Sequence, residues 1–158
     1  MAGPVVLERT SGWGIVNALF DAGPPRVTPR DLLRDCAEER SLAACLKAHA
    51  MGITYPSLKA TMERVAQETA GHAEALADLL TSDGLAAPRA AESVEPTAYP
   101  SMVRDVQGDA LTVRERVARY EDLLRKAPRS LRLVLEPIYE DKREHARLLV
   151  EVAIRICR

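Results

Sequence analysis

Two tracts of the chain, residues 67–76 and 140–149, align with each other over their whole length. The alignment places His72 against His145 and continues through apolar positions on either side. The aligned apolar pairs are Leu58 with Leu131, Met62 with Leu135, Val65 with Ile138 and Leu76 with Leu149. Because these positions recur every three or four residues, each tract predicts an amphipathic helix with one buried face. The chain is therefore expected to contain two related helices, each with a histidine on its buried side.

The composition favours one helical domain. The chain has 158 residues, of which 47% are hydrophobic, so it can build one buried core but is too short for two ordinary domains. Ala, Leu, Arg and Glu are abundant and aromatic or β-branched runs are few, which favours helices over strands. The sequence therefore predicts an all-α fold.

Charge and cysteine content narrow the classes of function. The 22 basic and 23 acidic residues nearly cancel, so neither a nucleic-acid partner nor an anionic membrane surface is predicted. No segment is long and apolar enough for a membrane span, and the first residues lack a signal-peptide pattern. The three cysteines, Cys36, Cys45 and Cys157, have no CxxC spacing, which indicates a reducing compartment. A cytoplasmic location is the resulting expectation.

Residues 1–27 are predicted to form an N-terminal arm that contains a short helix. The apolar stretch at residues 13–20 precedes a cluster of helix breakers at residues 23–25, and it holds the only Trp and the only Phe of the chain. Two interpretations stay open. The arm covers one end of the core as a lid within the chain, or it contacts a second subunit.

Residues 28–158 are predicted to form a four-helix bundle. Thr28 followed by Pro29 marks a helix start, and clusters of Gly, Pro and Ser mark the other boundaries. The predicted helices run from about residue 28 to 52, 57 to 82, 101 to 126 and 131 to 156. Pro137 indicates that the fourth helix either starts there or is kinked. The Pro-containing stretch 84–100 is predicted to be a long crossover connection between two antiparallel hairpins.

Several polar residues fall on the predicted buried faces. They are Glu39 in the first helix, Thr69 and His72 in the second, Tyr120 in the third, and Lys142 and His145 in the fourth. Because a buried charge is costly unless it is paired, these residues predict one shared polar site in the interior of the bundle.

This pattern resembles the ferritin-like superfamily, and within it the rubrerythrin-like four-helix bundles. The shared features are two hairpins, a long central connection, a Glu in the first helix and two His-Ala-x-x-Leu tracts. In that superfamily a metal pair is held by one Glu from each of two helices and by a Glu-x-x-His from each of the other two. The resemblance implies that Glu39, His72 and His145 stand at ligand positions. The chain departs from the motif at Thr69 and Lys142, which stand where Glu is expected.

The preferred interpretation is that the di-metal site is degenerate. Lys142 then supplies positive charge where the metal ions would lie, and it neutralises Glu39 in a polar core. No cofactor is expected, and the chain is a binding or structural module. Apart from this interpretation, Lys142 and Tyr120 are the candidate catalytic side chains if the chain is an enzyme.

The alternative interpretation is a non-haem di-iron or di-manganese oxidase or oxygenase with shifted ligands. Two acids each precede a histidine by four residues, which also places both side chains on one helix face. The candidate ligands for iron or manganese are Glu39, Glu68, His72, Asp141 and His145, with Glu121 or Glu115 from the third helix. A narrower variant keeps only Glu39, His72 and His145 as the ligands of a single iron.

Further expectations concern single residues and partners. Glu68 and Asp141 can also be boundary acids that hydrogen-bond the histidines beside them instead of binding metal. His49, near the end of the first helix, is predicted to be a surface or capping residue. By analogy with the family, a homodimer with an unidentified small-molecule or protein partner is expected.

Overall fold

The computed structural model describes residues 26–89 and 101–157. Within these residues the chain forms four helices and no strand, which confirms the predicted all-α fold. The helices are α1 (Pro29–Gly52), α2 (Pro56–Ser82), α3 (Ser101–Lys126) and α4 (Arg129–Ile156). The predicted arm up to residue 25, with its apolar stretch at residues 13–20, lies outside the described residues, and so do residues 90–100 of the connection between α2 and α3.

The start of α1 is fixed by a capping box. The Thr28 side chain accepts a hydrogen bond from the backbone N–H of Asp31 at 3.2 Å, and the Asp31 carboxylate accepts one from the backbone N–H of Thr28 at 2.9 Å. Pro29 occupies the first helical position, where its fixed φ suits the helix and no N–H is needed. The helix therefore begins where the sequence predicts.

The end of α2 is fixed by Gly84, whose φ of 76° lies in the left-handed region. Gly84 donates its N–H to the carbonyl of Thr81, and Leu85 donates to the carbonyl of Leu80, both at 2.9 Å. These two bonds are those of a Schellman motif, which satisfies the last carbonyls of a helix. A side chain at residue 84 would be strained, so the glycine sets the end of α2.

The fourth helix runs without interruption from Arg129 through Pro137 to Ile156. It therefore starts two turns before the proline, and the alternative of a start at Pro137 is wrong. A proline inside a helix leaves the carbonyl four residues earlier without its usual donor. That residue here is Leu133, which is 72% exposed, so water can reach its backbone.

The helices pack as two antiparallel hairpins, α1 with α2 and α3 with α4, which meet along α1 and α3 and along α2 and α4. Asp31 contacts Arg119, whereas His49 at the other end of α1 contacts Asp109, so α1 and α3 run in opposite directions. Since α2 is also antiparallel to α1, helices α2 and α3 run in the same direction.

Two apolar clusters fill the two ends of the bundle. One cluster includes Leu46, Met62, Val65, Val106, Val113, Leu149 and Val152, and the other includes Val27, Leu32, Leu76, Leu80, Tyr120, Leu123 and Leu135. On α2 the first cluster ends at Ala66 and the second begins at Leu76, so the buried Thr69 and His72 lie between them. The predicted polar residues thus form a layer across the middle of the core.

None of the four helices combines the length and the apolar character required to cross a membrane, among the residues that the structure describes.

Replacement of Thr28 by Ala should lower the free energy of unfolding by about 1 kcal/mol, because it removes the side chain that caps α1. Urea denaturation followed by circular dichroism measures the change. Thr54→Ala is the matched control, since Thr54 is exposed and is not the N-cap of α2, and it should cost less than about 0.5 kcal/mol. Equal losses in the two variants would contradict a capping role for Thr28.

Candidate functional site

The polar layer is centred on an ion pair between α1 and α4. Lys142 Nζ lies 2.5 Å from Glu39 Oε2, and both side chains are fully buried. Lys142 also donates a hydrogen bond to Thr69 Oγ1 of α2 at 3.2 Å. Tyr120 of α3 donates its hydroxyl to Glu39 Oε1 at 3.2 Å. Each of the four helices therefore contributes one side chain to a single connected group.

Burial perturbs the protonation equilibria of this group. Burial lowers the pKa of Lys142 below its ordinary value, while the adjacent Glu39 carboxylate opposes the shift. Burial, together with the negative charge of Glu39, raises the pKa of Tyr120 well above its ordinary value. Tyr120 thus stays protonated over the physiological pH range and remains a hydrogen-bond donor to the carboxylate.

The two aligned histidines lie face to face beside this ion pair. The rings of His72 and His145 stack with centroids 5.7 Å apart and planes at 25°. His72 Nε2 lies 2.9 Å from Asp141 Oδ2, and His145 Nε2 lies 2.7 Å from Glu68 Oε2. Each acid therefore pairs with the histidine of the opposite helix. The prediction that Glu68 and Asp141 hydrogen-bond the histidines beside them in sequence is wrong, because antiparallel packing brings each acid nearer to the other tract.

Both histidines are held in the neutral form at neutral pH. Burial, with the nearby Lys142 ammonium, lowers the pKa of His72 and of His145, although the hydrogen bonds to Asp141 and Glu68 oppose the shift. A neutral imidazole carries one N–H, and the carboxylate at Nε2 assigns that proton to Nε2. The Nδ1 atoms of both rings are then acceptors, and both are buried without a hydrogen-bond partner in the described part of the chain.

This arrangement has features of a metal site but is not a complete one. Histidines that bind metal commonly donate their other ring N–H to a carboxylate, as His72 and His145 do here. The Lys142 ammonium, however, lies against Glu39, the carboxylate that the resemblance implies as a ligand. Across residues 26–89 and 101–157, no three side chains of His, Cys, Asp or Glu form a group that could hold a metal ion.

The remaining candidate ligands lie farther from the centre. Glu68 and Asp141 are at the rim, with 40% and 53% of their side chains exposed. Glu121 and Glu115 are exposed and take no part in the polar layer. The inward position of α3 at this level is occupied by Tyr120, so the neighbouring Glu121 points to a different side of the helix.

A buried cluster of charges between α1 and α3 was not predicted. Asp35 is fully buried one turn before Glu39, and its carboxylate accepts a hydrogen bond from Arg119 Nε at 3.3 Å. Arg116 lies 3.6 Å from Asp35 and pairs with Glu38. Burial raises the pKa of Asp35, and the charge of Arg119 opposes this. The spacing of four residues between Asp35 and Glu39 was a signal in the sequence, because it places both carboxylates on one helix face.

The prediction that His49 is a surface or capping residue is wrong, because His49 is buried. His49 Nδ1 lies 2.6 Å from Asp109 Oδ2 of α3, and Asp105 lies at 4.0 Å from the other ring nitrogen. The hydrogen bond to Asp109 raises the pKa of His49 in spite of burial. This pair fastens the end of α1 to the first half of α3.

Comparisons of the chain with family models, with curated proteins and with solved structures give no match.

Removal of the Lys142 charge should be strongly destabilising, because Glu39 would remain buried without a counter-charge. We expect Lys142→Met to lower the free energy of unfolding by about 3–5 kcal/mol in urea denaturation at pH 7. The double variant Glu39→Gln, Lys142→Met leaves no buried charge at this position, so it should recover most of that loss. The exposed Lys47 supplies the control, and Lys47→Met should cost less than about 0.5 kcal/mol. A single variant as stable as the double would contradict the buried ion pair.

Stability should fall as the pH is lowered below about 6.5, the ordinary pKa of histidine, because of His72 and His145. Their pKa values are lower in the folded than in the unfolded state, so the unfolded chain binds protons first. His49 acts in the opposite sense. Its raised pKa contributes stability that is present below 6.5 and is lost as the pH rises through its folded value.

Urea denaturation between pH 5 and pH 8 measures the direction in which stability changes with pH. His72→Gln and His145→Gln should flatten the decline on the acid side, and His49→Gln should leave that decline in place. A decline that is unchanged in the His72 and His145 variants would exclude these residues as its source.

Proposed function

We propose that the chain is a ferritin-like four-helix bundle whose interior di-metal site is degenerate, and that it acts as a binding or structural module. The parallel course of α2 and α3 supports the single-crossover topology of that superfamily. A helix of the length of α2 spans about 40 Å at 1.5 Å per residue. Residues 83–100, when extended, can span up to roughly 60 Å, so they are long enough to return along the bundle.

The observation that carries the proposal is the contact between Lys142 and Glu39. Lys142 stands where the resemblance places a metal-bridging Glu, and its ammonium lies 2.5 Å from the buried Glu39 carboxylate. A metal ion entering this position meets a positive charge at close range. At 4 Å and an effective dielectric constant of 20, the repulsion is about 4 kcal/mol for each unit of charge on the ion. In this proposal Lys142 and Tyr120 hold Glu39 in place and do not take part in catalysis.

The wider role follows from the family resemblance and the composition. A bundle with a neutral polar centre and a mixed-charge surface is suited to binding a small molecule or a protein and to forming a homodimer in the cytoplasm. The balanced charge of the chain favours neither a nucleic acid nor a membrane as the partner.

One observation favours a second candidate function, a non-haem di-iron or di-manganese oxidase or oxygenase. Within the described residues the Nδ1 acceptors of His72 and His145 both lack a hydrogen-bond partner, and carboxylates orient both rings through Nε2. In the narrower variant Glu39, His72 and His145 would hold a single iron there, with Glu68 and Asp141 orienting the two rings. In the di-metal variant Glu68 and Asp141 would also be ligands. The metal would supply activation of oxygen or peroxide, and Lys142 would first have to leave the centre of the layer.

Metal content after purification with iron or manganese supplied separates the two functions. We expect the parent protein to contain no stoichiometric metal and the variant Lys142→Glu to gain metal, because the substitution replaces an ammonium by a ligand carboxylate. Lys47→Glu changes an exposed lysine in the same way and should gain none. Elemental analysis of the folded proteins, checked by circular dichroism, provides the measurement.

The result that contradicts the proposal is metal bound to the parent protein. Near-stoichiometric metal in the parent that disappears in the double variant His72→Ala, His145→Ala would overturn the degenerate-site proposal in favour of the metalloenzyme.

A further inference from the structure

The hairpin of α3 and α4 carries an apolar groove on its outer surface. The groove has a volume of about 670 Å³, and its apolar wall is formed by Ala110, Leu111, Val150, Ala153, Ile154 and Cys157. Leu111, Val150 and Ile154 are 61%, 48% and 52% exposed. Large aliphatic side chains exposed together along two helices are typical of a surface that another element covers.

The shape of the groove suits a short helix. Its lining residues follow one another along α3 at 107, 110, 111 and 114 and along α4 at 150, 153, 154 and 157. Each row is two helical turns long, so the groove extends for about 10 Å. A groove between two helices that is lined in this way accepts the apolar face of a third helix.

We propose that the apolar segment at residues 13–20 of the same chain docks into this groove. The segment has eight residues, and as a helix it would be about 12 Å long, which matches the groove. Its large apolar residues recur at helical spacing, with Trp13, Val16 and Phe20 in one row and Ile15 and Leu19 in the next. The segment therefore offers a compact apolar face of the right length.

The chain enters α1 at the end of the bundle that is nearer to Arg114. Val27 packs in the same cluster as Leu123 of α3, and Arg114 at the near end of the groove lies about 14 Å farther along that helix. Residues 21–25 can span up to roughly 20 Å. The second apolar groove, between α1 and α2, begins at Ala43, about 24 Å along α1 from Val27. The linker therefore reaches the groove of α3 and α4 more easily.

Charge favours one orientation of the segment. Arg114 lines the groove and makes no hydrogen bond or ion pair with any residue of the described ranges. Asp21 directly follows the apolar segment and would lie at the end of the groove where Arg114 is. A pair exposed to solvent adds little affinity, but it selects the direction in which the segment lies.

Trp13 makes the proposal directly testable, because it is the only tryptophan of the chain. In the full chain its emission should be blue-shifted and poorly quenched by acrylamide, and neither property should change on dilution. Leu111→Asp and Ile154→Asp should each shift the emission to the red and increase quenching. Leu133→Asp is the control, because Leu133 is even more exposed and lies on α4 but does not line the groove. Circular dichroism and sedimentation checks establish that the variants are folded and give their oligomeric state.

A second measurement locates the segment. Cys157 is exposed and lines the groove, so in a Cys45→Ser background it can carry a bimane label that tryptophan quenches on contact. We expect a several-fold increase in bimane emission on Trp13→Phe or on removal of residues 1–25. Unchanged Trp13 emission in both groove variants would overturn the proposal. Groove variants that convert a dimer to a monomer, with Trp13 emission unaltered, would show instead that a second copy covers this face.

Discussion

The ion pair between Lys142 and Glu39 determines how the four helices must be arranged. A buried ammonium and a buried carboxylate are tolerated only when they meet and when their remaining hydrogen-bonding capacity is used. Thr69 accepts from the ammonium and Tyr120 donates to the carboxylate, so α2 and α3 are tied to the same point as α1 and α4. A slip of α1 or α4 by one turn would leave a buried charge unpaired, and a slip of α2 or α3 would remove one of the two hydrogen bonds to the pair. The apolar clusters at the two ends supply the free energy of folding, and the polar layer selects the register.

The internal repeat explains why the layer is both paired and asymmetric. Equivalent residues of α2 and α4 face each other, as His72 and His145 stack, and the acids cross to the opposite histidine. Thr69 and Lys142 are also equivalent positions, and there the symmetry is broken. Two lysines at this place would repel each other, whereas two threonines would leave Glu39 without a counter-charge. With one lysine and one threonine, Lys142 supplies a single positive charge for Glu39 and Thr69 accepts a hydrogen bond from it.

Much of this could be predicted from the sequence, because the relevant signals are local. Thr28 with Pro29 and the Asp83-Gly84 pair set helix ends through backbone chemistry, and the apolar stripes identify the inward faces. Contacts between helices are harder to predict from the sequence. Spacing along one helix places Glu68 beside His72, but the structure pairs it with His145 across the bundle. The same limit applies to His49, whose burial depends on Asp109 of a helix far away in sequence.

The polar layer also lowers the free energy of unfolding more than a purely structural layer would. The Nδ1 atoms of His72 and His145 have no donor among residues 26–89 and 101–157, which costs roughly 1–3 kcal/mol for each atom, and apolar side chains of similar size would avoid that cost. The ion pair alone would already fix the register, so stacked histidines oriented by two carboxylates are not required for folding. Their geometry is suited to a group that donates a hydrogen bond to each Nδ1, or to a cation once Lys142 is displaced. Of the two roles proposed for the chain, the polar layer therefore favours binding over a purely structural role.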